Sequence, residues 1–319
     1  MRAVVTGCAG FIGSSLTDRL LAQGWDVLGI DSFEDYYARD IKEHNIADAC
    51  GHAGFTLVEA DLLDLASAGD SRATEVSLKE IVTSADHVYH LAAQPGVRGS
   101  WGRTFETYVR NNILATQALL ECAKDVGIGS FVSASSSSVY GDAPTLPMEE
   151  TAECRPFSPY GVTKLASEHL ARLYARNFGV PTVSLRFFTV YGPRQRPDMA
   201  FNRFIRAALE HTPIQVFGDG SQTRDFTFVS DIIDGIVAAP AGTVLNLGGG
   251  SRVTLREALE VLGTVMGHEI RVRCADKQAG DVPDTWAAIA RAREAIGFQP
   301  KVDLAAGLAA EYQWLRTAL

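Results

Sequence analysis

The chain has 319 residues, of which 46% are hydrophobic and 21% are charged, and its formal net charge is −9. This balance predicts a globular protein with one large domain or two closely packed domains. The sequence contains no basic stripe, so we expect no nucleic-acid surface, although local arginines could still bind a small anion. No run of about 18 apolar residues occurs, and we therefore expect no membrane-spanning segment.

The cysteines are scattered and odd in number: Cys8, Cys50, Cys122, Cys154 and Cys274. The sequence has no Cys-x-x-Cys pair, so it indicates neither a zinc site nor a disulfide framework, and we expect no bound metal. Reduced thiols are typical of the cytoplasm, where we expect the protein. The apolar N-terminal run is interrupted by glycines, which is not typical of a signal peptide.

A glycine-rich turn follows the first predicted strand, residues 2–6. Gly7, Gly10 and Gly13 stand between this strand and a helical pattern that continues to Gly24. Glycines at such a turn let backbone N–H groups approach a pyrophosphate and let the helix pack close to the strand. Because the triplet lies between a strand and a helix, it indicates a dinucleotide site more strongly than its glycines alone would.

The second predicted strand, residues 25–30, ends at Asp31. A carboxylate at this position accepts hydrogen bonds from the adenosine ribose hydroxyls and repels a 2′-phosphate. The sequence therefore favours NAD over NADP.

Further strands and helices alternate as far as the middle of the chain. The patterns predict a helix over 38–49, a strand over 55–60, a loop over 66–72, a strand over 87–91, a helix over 105–126 and a strand over 130–134. We interpret His87 and His90 as packed strand residues and not as ligands. The apolar stripe of residues 105–126 is wide enough to leave a second face for another subunit.

A run of serines, residues 135–138, follows the strand over 130–134, and the predicted helix over 160–177 comes next. Serine runs are often flexible linkers, but this one directly follows a strand, and we interpret it as a site loop. Tyr160 and Lys164 are four residues apart, so they share one face of their helix. A nearby ammonium favours phenolate, and a tyrosine base near pH 7 needs its pKa lowered by about 3 units. Ser136 could hold a substrate hydroxyl against Tyr160.

The second half begins with a strand over 182–187 and continues through a turn-rich, basic stretch. The later predictions are helices over 200–209, 232–238, 254–266 and 304–315, strands over 214–217 and 244–247, a hairpin turn at Gly218–Gly220 and an N-cap at Ser230. Arg194, Arg196 and Arg224 could pair with phosphates or a carboxylate, although surface arginines are often only solvated.

Alternation of strands and helices predicts an α/β fold built on a parallel, doubly wound sheet. In such sheets the ligand lies across the carboxyl ends of the strands. The glycine turn, Asp31, Ala92, Ser136 and Tyr160 all fall just past predicted strand ends. We therefore expect one ligand cleft at that edge.

Taken together, these motifs resemble the extended short-chain dehydrogenase/reductase family of nucleotide-sugar enzymes over nearly the whole chain. The stretches that carry the resemblance are Thr6–Gly13, His90–Ala93, Ser135–Gly141, Tyr160-x-x-x-Lys164, Arg186–Pro193 and Arg224–Phe226. The resemblance implies a Rossmann-type sheet and a smaller, mostly C-terminal α+β substrate-binding domain. It divides the chain into a NAD-binding domain of residues 1–190 with about 226–250, and a nucleotide-sugar-binding domain of 191–225 and 251–319.

The same resemblance implies the roles of individual residues. Tyr160 would be the base, Lys164 would hold the nicotinamide ribose, and Ser136 would assist. The implied NAD contacts are Gly7, Gly10, Phe11, Ile12, Gly13, Asp31, Lys42, Asp61, Leu62, Leu91, Ala92, Ala93, Tyr160 and Lys164. The implied contacts with a UDP-sugar are Arg98, Ser136, Ser137, Ser138, Thr189, Arg196, Val216, Arg224 and Asp281.

Within the family the resemblance narrows to UDP-glucuronate 4-epimerases. It is carried by Asp35–Tyr37, Lys42–Glu43, Ala93–Arg98, Ser135–Ser138, Phe188–Tyr191 and Arg196–Ala200. Related dehydratases have two acids where this chain has Ser137 and Ser138, and related decarboxylases have a glutamate in place of Ser138. Serines are poor proton carriers, but they can donate hydrogen bonds to a substrate carboxylate that Arg196 also pairs with.

The resemblance therefore implies a NAD-dependent isomerase that converts UDP-glucuronate to UDP-galacturonate through a transient 4-keto sugar. The alternatives are a UDP-glucose/UDP-galactose 4-epimerase, a UDP-glucuronate decarboxylase, another nucleotide-sugar epimerase or dehydratase, and a non-catalytic NAD-sensing regulator. Relatives pair the helices that correspond to 105–126 and 160–177, so we expect a homodimer.

Overall fold

The structure is a computed structural model that describes residues 1–67, 77–250, 252–276 and 280–318. Its strands are β1 (Arg2–Thr6), β2 (Asp26–Asp31), β3 (Phe55–Glu59), β4 (His87–His90), β5 (Ser130–Ser136), β6 (Thr182–Phe187), β7 (Thr189–Tyr191), β8 (Ile214–Phe217), β9 (Thr223–Arg224), β10 (Phe226–Phe228), β11 (Thr243–Leu247), β12 (Val253–Thr254) and β13 (Val272–Ala275). Its helices are α1 (Phe11–Ala22), α2 (Arg39–Asn45), α3 (Ala47–Cys50), α4 (Leu62–Ser67), α5 (Leu78–Thr83), α6 (Phe105–Tyr108), α7 (Ala115–Ala123), α8 (Pro159–Phe178), α9 (Ala200–Leu209), α10 (Val229–Ala238), α11 (Leu255–Met266), α12 (Ala290–Ile296) and α13 (Leu304–Ala318).

A seven-stranded sheet forms the centre of the fold, in the order β11-β6-β5-β4-β1-β2-β3. Every neighbouring pair in this sheet is parallel. Val4 and Val5 are both fully buried but belong to two different core clusters, because successive side chains of a strand point to opposite faces. Helices therefore cover both faces of the sheet, and the predicted Rossmann-type α/β fold is confirmed.

A separate apolar cluster lies beyond the large sheet. Buried side chains of α9, α11 and α13 pack there against β8 and the β7–β10 pair, among them Phe201, Ile205, Leu262 and Leu308. In α9 and α11 the apolar residues recur every three or four positions, which puts their side chains on one face of each helix. The chain has thus built a second, smaller core from elements that follow β6.

Two predictions about the second half are wrong. The glycines at 218 and 220 do adopt positive φ, but β8 does not fold back on the next strand, because it pairs in parallel with β13 instead. Strand β9 pairs with β12, which precedes α11. Helix α10 starts at Val229, so Ser230 lies inside its first turn and does not cap it.

Three predictions in the first half need adjustment. The helix predicted over 105–126 is interrupted by a π-helical segment, Val109–Leu114, between α6 and α7. The helix predicted over 38–49 breaks at Ile46, whose backbone leaves the helical region between α2 and α3. Of the loop predicted over 66–72, residues 66 and 67 belong to α4, and the others lie outside the described residues.

Three findings describe the chemical character of the chain. The five cysteines are free thiols. In the described ranges, no cluster of His, Cys, Asp or Glu has the size and arrangement to bind a metal ion. No helix in the same ranges is long and apolar enough to cross a membrane.

Candidate active site

One cleft runs along the carboxyl ends of the central strands, where parallel α/β sheets bind their ligands. Most of the residues predicted to contact a cofactor or substrate line it: Gly7, Gly10, Phe11, Ile12, Gly13, Asp31, Lys42, Asp61, Leu62, Leu91, Ala92, Ala93, Ser136, Ser137, Ser138, Tyr160, Lys164, Thr189 and Arg196. Arg98, Val216, Arg224 and Asp281 lie outside this cleft wall.

The glycine turn brings the start of α1 directly against the end of β1. A Cβ atom on Gly13 would lie 2.0 Å from the carbonyl oxygen of Gly7, and one on Gly7 would lie 2.7 Å from the amide nitrogen of Ala92. Gly10 is the N-cap residue of α1, and no side chain of the described residues caps this helix. The first-turn N–H groups of α1 are thus available to an anion, and the turn fits the diphosphate of a dinucleotide.

Asp31 is held in place at the end of β2 by two backbone donors. Its carboxylate oxygens accept from the amides of Ala9 at 3.0 Å and Phe33 at 2.9 Å. Each carboxylate oxygen has a second lone pair, so Asp31 keeps acceptor capacity for a pair of ribose hydroxyls. This arrangement fits the adenosine half of NAD.

Lys42 and Asp61 flank the same end of the cleft. The buried Lys42 donates to the carbonyl oxygen of Glu34 and lies 4.9 Å from the centre of the Tyr37 ring. Burial lowers the pKa of Lys42, although Asp31 and Glu34 oppose this effect. Asp61 accepts from the amide of Leu63 at 2.7 Å.

Tyr160 and Ser136 meet at the middle of the cleft. Ser158 is the N-cap of helix α8, and its hydroxyl accepts a hydrogen bond from the amide of Gly161. Pro159 is the first residue of the helix. This N-cap directs Tyr160, in the first turn, towards the end of β5. Ser136 and Tyr160 both line the cleft, where Ser136 lowers the pKa of the Tyr160 hydroxyl, and the Ser136 Oγ accepts from the amide of Ser138 at 3.1 Å.

The pKa values of Tyr160 and Lys164 differ from the sequence-based expectation. Burial raises the pKa of Tyr160 above its usual 10, while Ser136 and the charge of Arg196 lower it. Lys164 donates to the carbonyl oxygen of Ala134 at 3.0 Å, and desolvation lowers its pKa to about 8. We expect Lys164 to supply only part of the lowering that a phenolate needs, and in the protein's own residues burial is the larger effect on the pKa of Tyr160.

Arg196 reaches the cleft from the loop after β7. The Asp198 carboxylate accepts hydrogen bonds from Nε and from one terminal nitrogen of Arg196, each at 3.0 Å. The hydroxyl of Tyr36 donates to the same carboxylate at 3.2 Å. A guanidinium has five N–H donors, so three remain for other acceptors. Sequence reasoning identified Arg196 but not its pairing with Asp198, nor the contact of Asp198 with Tyr36, which brings together two loops far apart in the chain.

The predicted UDP-sugar contacts that lie outside the cleft wall form a second group. Arg98 and Asp281 form an ion pair with distances of 2.6 and 3.3 Å, and the Arg98 guanidinium lies 4.1 Å from the centre of the Phe217 ring. Arg224 donates to the carbonyls of Val282 and Pro283. Burial lowers the pKa of Arg224, and the charge of Asp281 opposes this effect while that of Arg98 adds to it. Val216 is 2% exposed and packs in the smaller core.

His90 is a packed strand residue, as predicted. Its Nδ1 is 2.8 Å from the hydroxyl of Thr6, and its Nε2 is 3.0 Å from that of Thr116. Thr116 donates to the carbonyl of Asn112, so it must accept from His90, which assigns the imidazole proton to Nε2. Burial lowers the pKa of His90 to about 3.

Sequence reasoning missed Asn112, which links the cleft wall to α8. Its side chain accepts from the amide of Gln94 at 2.7 Å and donates to the Thr163 hydroxyl at 2.9 Å. Asn112 lies in the π-helical segment, a type of irregularity that is frequent at functional sites. A buried asparagine within an apolar helical stripe was the available signal.

Comparisons with known proteins agree with this geometry. Residues 3–248 match the NAD dependent epimerase/dehydratase family. The chain is 41% identical to the uncharacterized UDP-glucose epimerase YtcB of Bacillus subtilis, over 99% of this chain and 98% of that protein. It is 36% identical to a UDP-glucuronate 4-epimerase of Thermodesulfobacterium geofontis, over 98% of this chain and 95% of that protein.

A solved structure is similarly close. The crystal structure of UDP-glucuronic acid 4-epimerase from Bacillus cereus, in complex with UDP-glucuronic acid and NAD, superposes with a TM-score of 0.93. The two chains are 41% identical, and the match covers 100% of each. Sequence, fold and cleft thus lead to the same assignment, and the chain belongs to the NAD dependent epimerase/dehydratase family.

Proposed function

We propose that this protein is a NAD-dependent isomerase that inverts C4 of UDP-glucuronate to give UDP-galacturonate. The observation that carries the proposal is the position of Arg196 on the same cleft as Tyr160 and Ser136. A cation beside the reacting group suits a sugar whose C5 substituent is a carboxylate. Relatives named UDP-glucuronate 4-epimerase support the same substrate.

The glycine turn, Asp31 and Lys164 would hold the dinucleotide. NAD supplies the hydride chemistry when it is bound, since the protein has no side chain that stores two electrons. Asp31 would accept from the adenosine ribose, and the first turn of α1 would donate to the diphosphate. Lys164 lies one helical turn from Tyr160 on the same cleft and would contact the nicotinamide ribose.

Tyr160 would exchange a proton with the C4 hydroxyl of the sugar. Oxidation of C4 gives a 4-keto sugar, which turns over in the cleft and is reduced on its other face. Ser136 would hold the C4 oxygen against the Tyr160 hydroxyl, since both side chains line the same cleft. Because burial raises the Tyr160 pKa, the base needs positive charge nearby, and Arg196 supplies part of it.

The carboxylate of the substrate creates a chemical problem that the cleft must solve. A 4-keto sugar with a carboxylate at C5 is a β-keto acid, which loses CO₂ readily when the carboxylate is aligned with the ketone. We assign the control of this alignment to Ser137, Ser138 and Arg196, which line the cleft beside Tyr160. Neither serine can replace the acid that a dehydratase or decarboxylase has at the same position.

The UDP portion would bind beyond the sugar, where Arg98, Arg224 and Asp281 interact. Charge-assisted hydrogen bonds from arginines are the usual partners of phosphates. We include Thr189 and Val216 in this proposal from the family resemblance, although Val216 is buried in the smaller core and would contribute mainly shape.

We also propose that residues 1–190 with about 226–250 form the NAD-binding domain, and that 191–225 and 251–319 form the nucleotide-sugar-binding domain. Participation of β11 in the large sheet supports the first assignment. The apolar cluster shared by α9, α11 and α13 supports the second.

A homodimer in the cytoplasm completes the proposal. Leu114, Val162, Leu173 and Phe178 are each at least 47% exposed on the two long helical segments, and burial against a second copy would remove this apolar surface from water. Free thiols at all five cysteines suit a reducing compartment.

A second candidate function is epimerisation of UDP-glucose, which is favoured by the identity to the uncharacterized UDP-glucose epimerase. Incubation of the purified protein and NAD with each sugar, followed by product NMR, separates the candidates. We expect UDP-galacturonate from UDP-glucuronate and a much slower reaction with UDP-glucose. A pentose product with release of CO₂ would identify a decarboxylase, and faster turnover of UDP-glucose would favour the second candidate.

A further inference from the structure

Helix α8 contacts the end of β5 at three consecutive residues. Tyr160 and Ser136 line the cleft together, Lys164 donates to the carbonyl of Ala134, and Ser135 donates to a carboxylate oxygen of Glu168 at 2.5 Å. Tyr160, Lys164 and Glu168 follow one another at intervals of four residues, so they lie along one face of the helix. The first two involve proposed active-site residues; in the third, Ser135 lines the cleft but Glu168 does not.

Glu168 also forms a buried ion pair with the strand next to β5. Arg186 of β6 donates to both of its carboxylate oxygens, at 2.9 and 2.7 Å, and both side chains are less than 8% exposed. In the sheet Arg186 lies directly opposite Ser135, so one carboxylate ties α8 to two neighbouring strands at the same level. Arg186 is itself held by the Tyr140 hydroxyl, which accepts from it at 2.9 Å.

We propose that Glu168 is a positioning residue for the reaction: it sets the register of α8 against β5 and so holds Tyr160 and Lys164 in place at the cleft. This inference rests on the proposed function, because Glu168 would act through Tyr160 and Lys164. It adds a residue that contacts neither cofactor nor substrate in the proposed mechanism.

The argument for register is geometric. Tyr160 and Lys164 can meet Ser136 and Ala134 together only if α8 neither slides nor rotates along β5. Glu168 lies two helical turns below Tyr160, and its bidentate pairing with Arg186 fixes both the translation and the rotation of the helix. A misplacement of about 1 Å at reacting groups can cost about 100-fold in rate.

The argument for charge depends on what surrounds Lys164. Desolvation lowers its pKa to about 8, and Glu168 is the group that opposes this. His90 of β4 also faces Lys164 but is neutral, because its own pKa is about 3. Glu168 in turn faces Arg186, whose buried positive charge would lose its partner if the carboxylate were removed.

The test compares wild-type enzyme with Glu168→Gln, Glu168→Asp and Ser135→Ala in initial-rate assays with UDP-glucuronate between pH 6 and 9. Glutamine keeps the shape of Glu168 but removes its charge. We expect kcat at pH 7 to fall at least about tenfold with KM within about threefold, and the alkaline limb of the kcat profile to move to lower pH. Aspartate should lower kcat but leave the alkaline limb where it is in wild type, since it keeps the charge and loses the reach.

Ser135→Ala keeps the buried ion pair and should lower kcat about threefold or more without moving the limb. It keeps the proposal testable if Glu168→Gln does not fold. Asp234→Asn is the matched control, because Asp234 also pairs with two basic residues, Arg19 and Lys301, but far from the cleft. Its kcat profile should match wild type.

The outcomes separate this inference from the proposed function. Wild-type enzyme that does not epimerise UDP-glucuronate contradicts the proposed function. Active wild-type enzyme with a folded Glu168→Gln variant of equal kcat and unchanged pH profile overturns the role of Glu168 alone. The same holds if Ser135→Ala and Glu168→Asp both retain wild-type kcat.

Discussion

Replacement of Arg196 by histidine should change the choice of sugar far more than the rate of the chemistry. Asp198 occupies Nε and one terminal nitrogen of Arg196, so three N–H donors are left for the substrate carboxylate. Hydrogen bonds to charged groups contribute about 1.5–3 kcal/mol, which corresponds to roughly a 10- to 150-fold loss in kcat/KM for UDP-glucuronate. UDP-glucose has a hydroxymethyl group there, so its kcat/KM should stay within about threefold.

The assay is steady-state epimerisation of both sugars by the wild type, Arg196→His and Arg194→His. Arg194 is the matched control: it lies two residues away in the same loop, but it donates to Asp18 at 2.7 Å and lies off the cleft wall. Arg194→His should leave kcat/KM unchanged for both sugars. Equal losses for the two sugars in Arg196→His would remove the carboxylate contact from the account.

Three further predictions concern the cofactor and the core. Gly13→Ala should abolish NAD binding in titration calorimetry, because its Cβ would lie 2.0 Å from the carbonyl of Gly7, whereas Gly51→Ala should bind normally. Asp31→Ser should raise the affinity for NADP relative to NAD, since it removes the repulsion of the 2′-phosphate, and an unchanged ratio would contradict the ribose assignment. His90 binds its proton near pH 6.5 when unfolded but only near pH 3 when folded. The free energy of unfolding should therefore fall by up to about 5 kcal/mol as the pH drops through this window, and His90→Gln should flatten that dependence in urea titrations.

Much of the cofactor end of the cleft could be predicted, because its signals are local. The glycine turn and Asp31 each stand at a fixed offset from a strand end, and parallel strands bring their carboxyl ends to one edge. Tyr160 and Lys164 are likewise related by a single helical turn. Patterns within a few neighbouring residues were therefore sufficient to predict the positions of these side chains.

The remaining features depend on contacts between distant parts of the chain. The glycines at 218 and 220 are typical of a hairpin, but β8 pairs with β13, which follows α11 much later in the chain. Asp198 and Tyr36 meet at Arg196 only in the folded protein. No sequence pattern encodes such pairings, since they follow from packing.

Burial explains why the pKa values of Tyr160 and Lys164 in the folded protein differ from those expected from the sequence. Sequence spacing places an ammonium one turn from Tyr160 and so favours a low pKa for the phenol. In the folded protein, desolvation acts on both groups, and it raises the pKa of Tyr160 and lowers that of Lys164. A sequence contains the neighbours in the chain but not the solvent that folding removes.

The central claim, that the Tyr160 hydroxyl exchanges the proton of the sugar alcohol, is tested most directly by turnover of a Tyr160→Phe variant with UDP-glucuronate. Loss of this group should reduce kcat by at least about 100-fold, while NAD binding remains as in wild type, because the ring still packs beside Tyr108. A variant that binds NAD and epimerises at close to the wild-type rate would contradict the account.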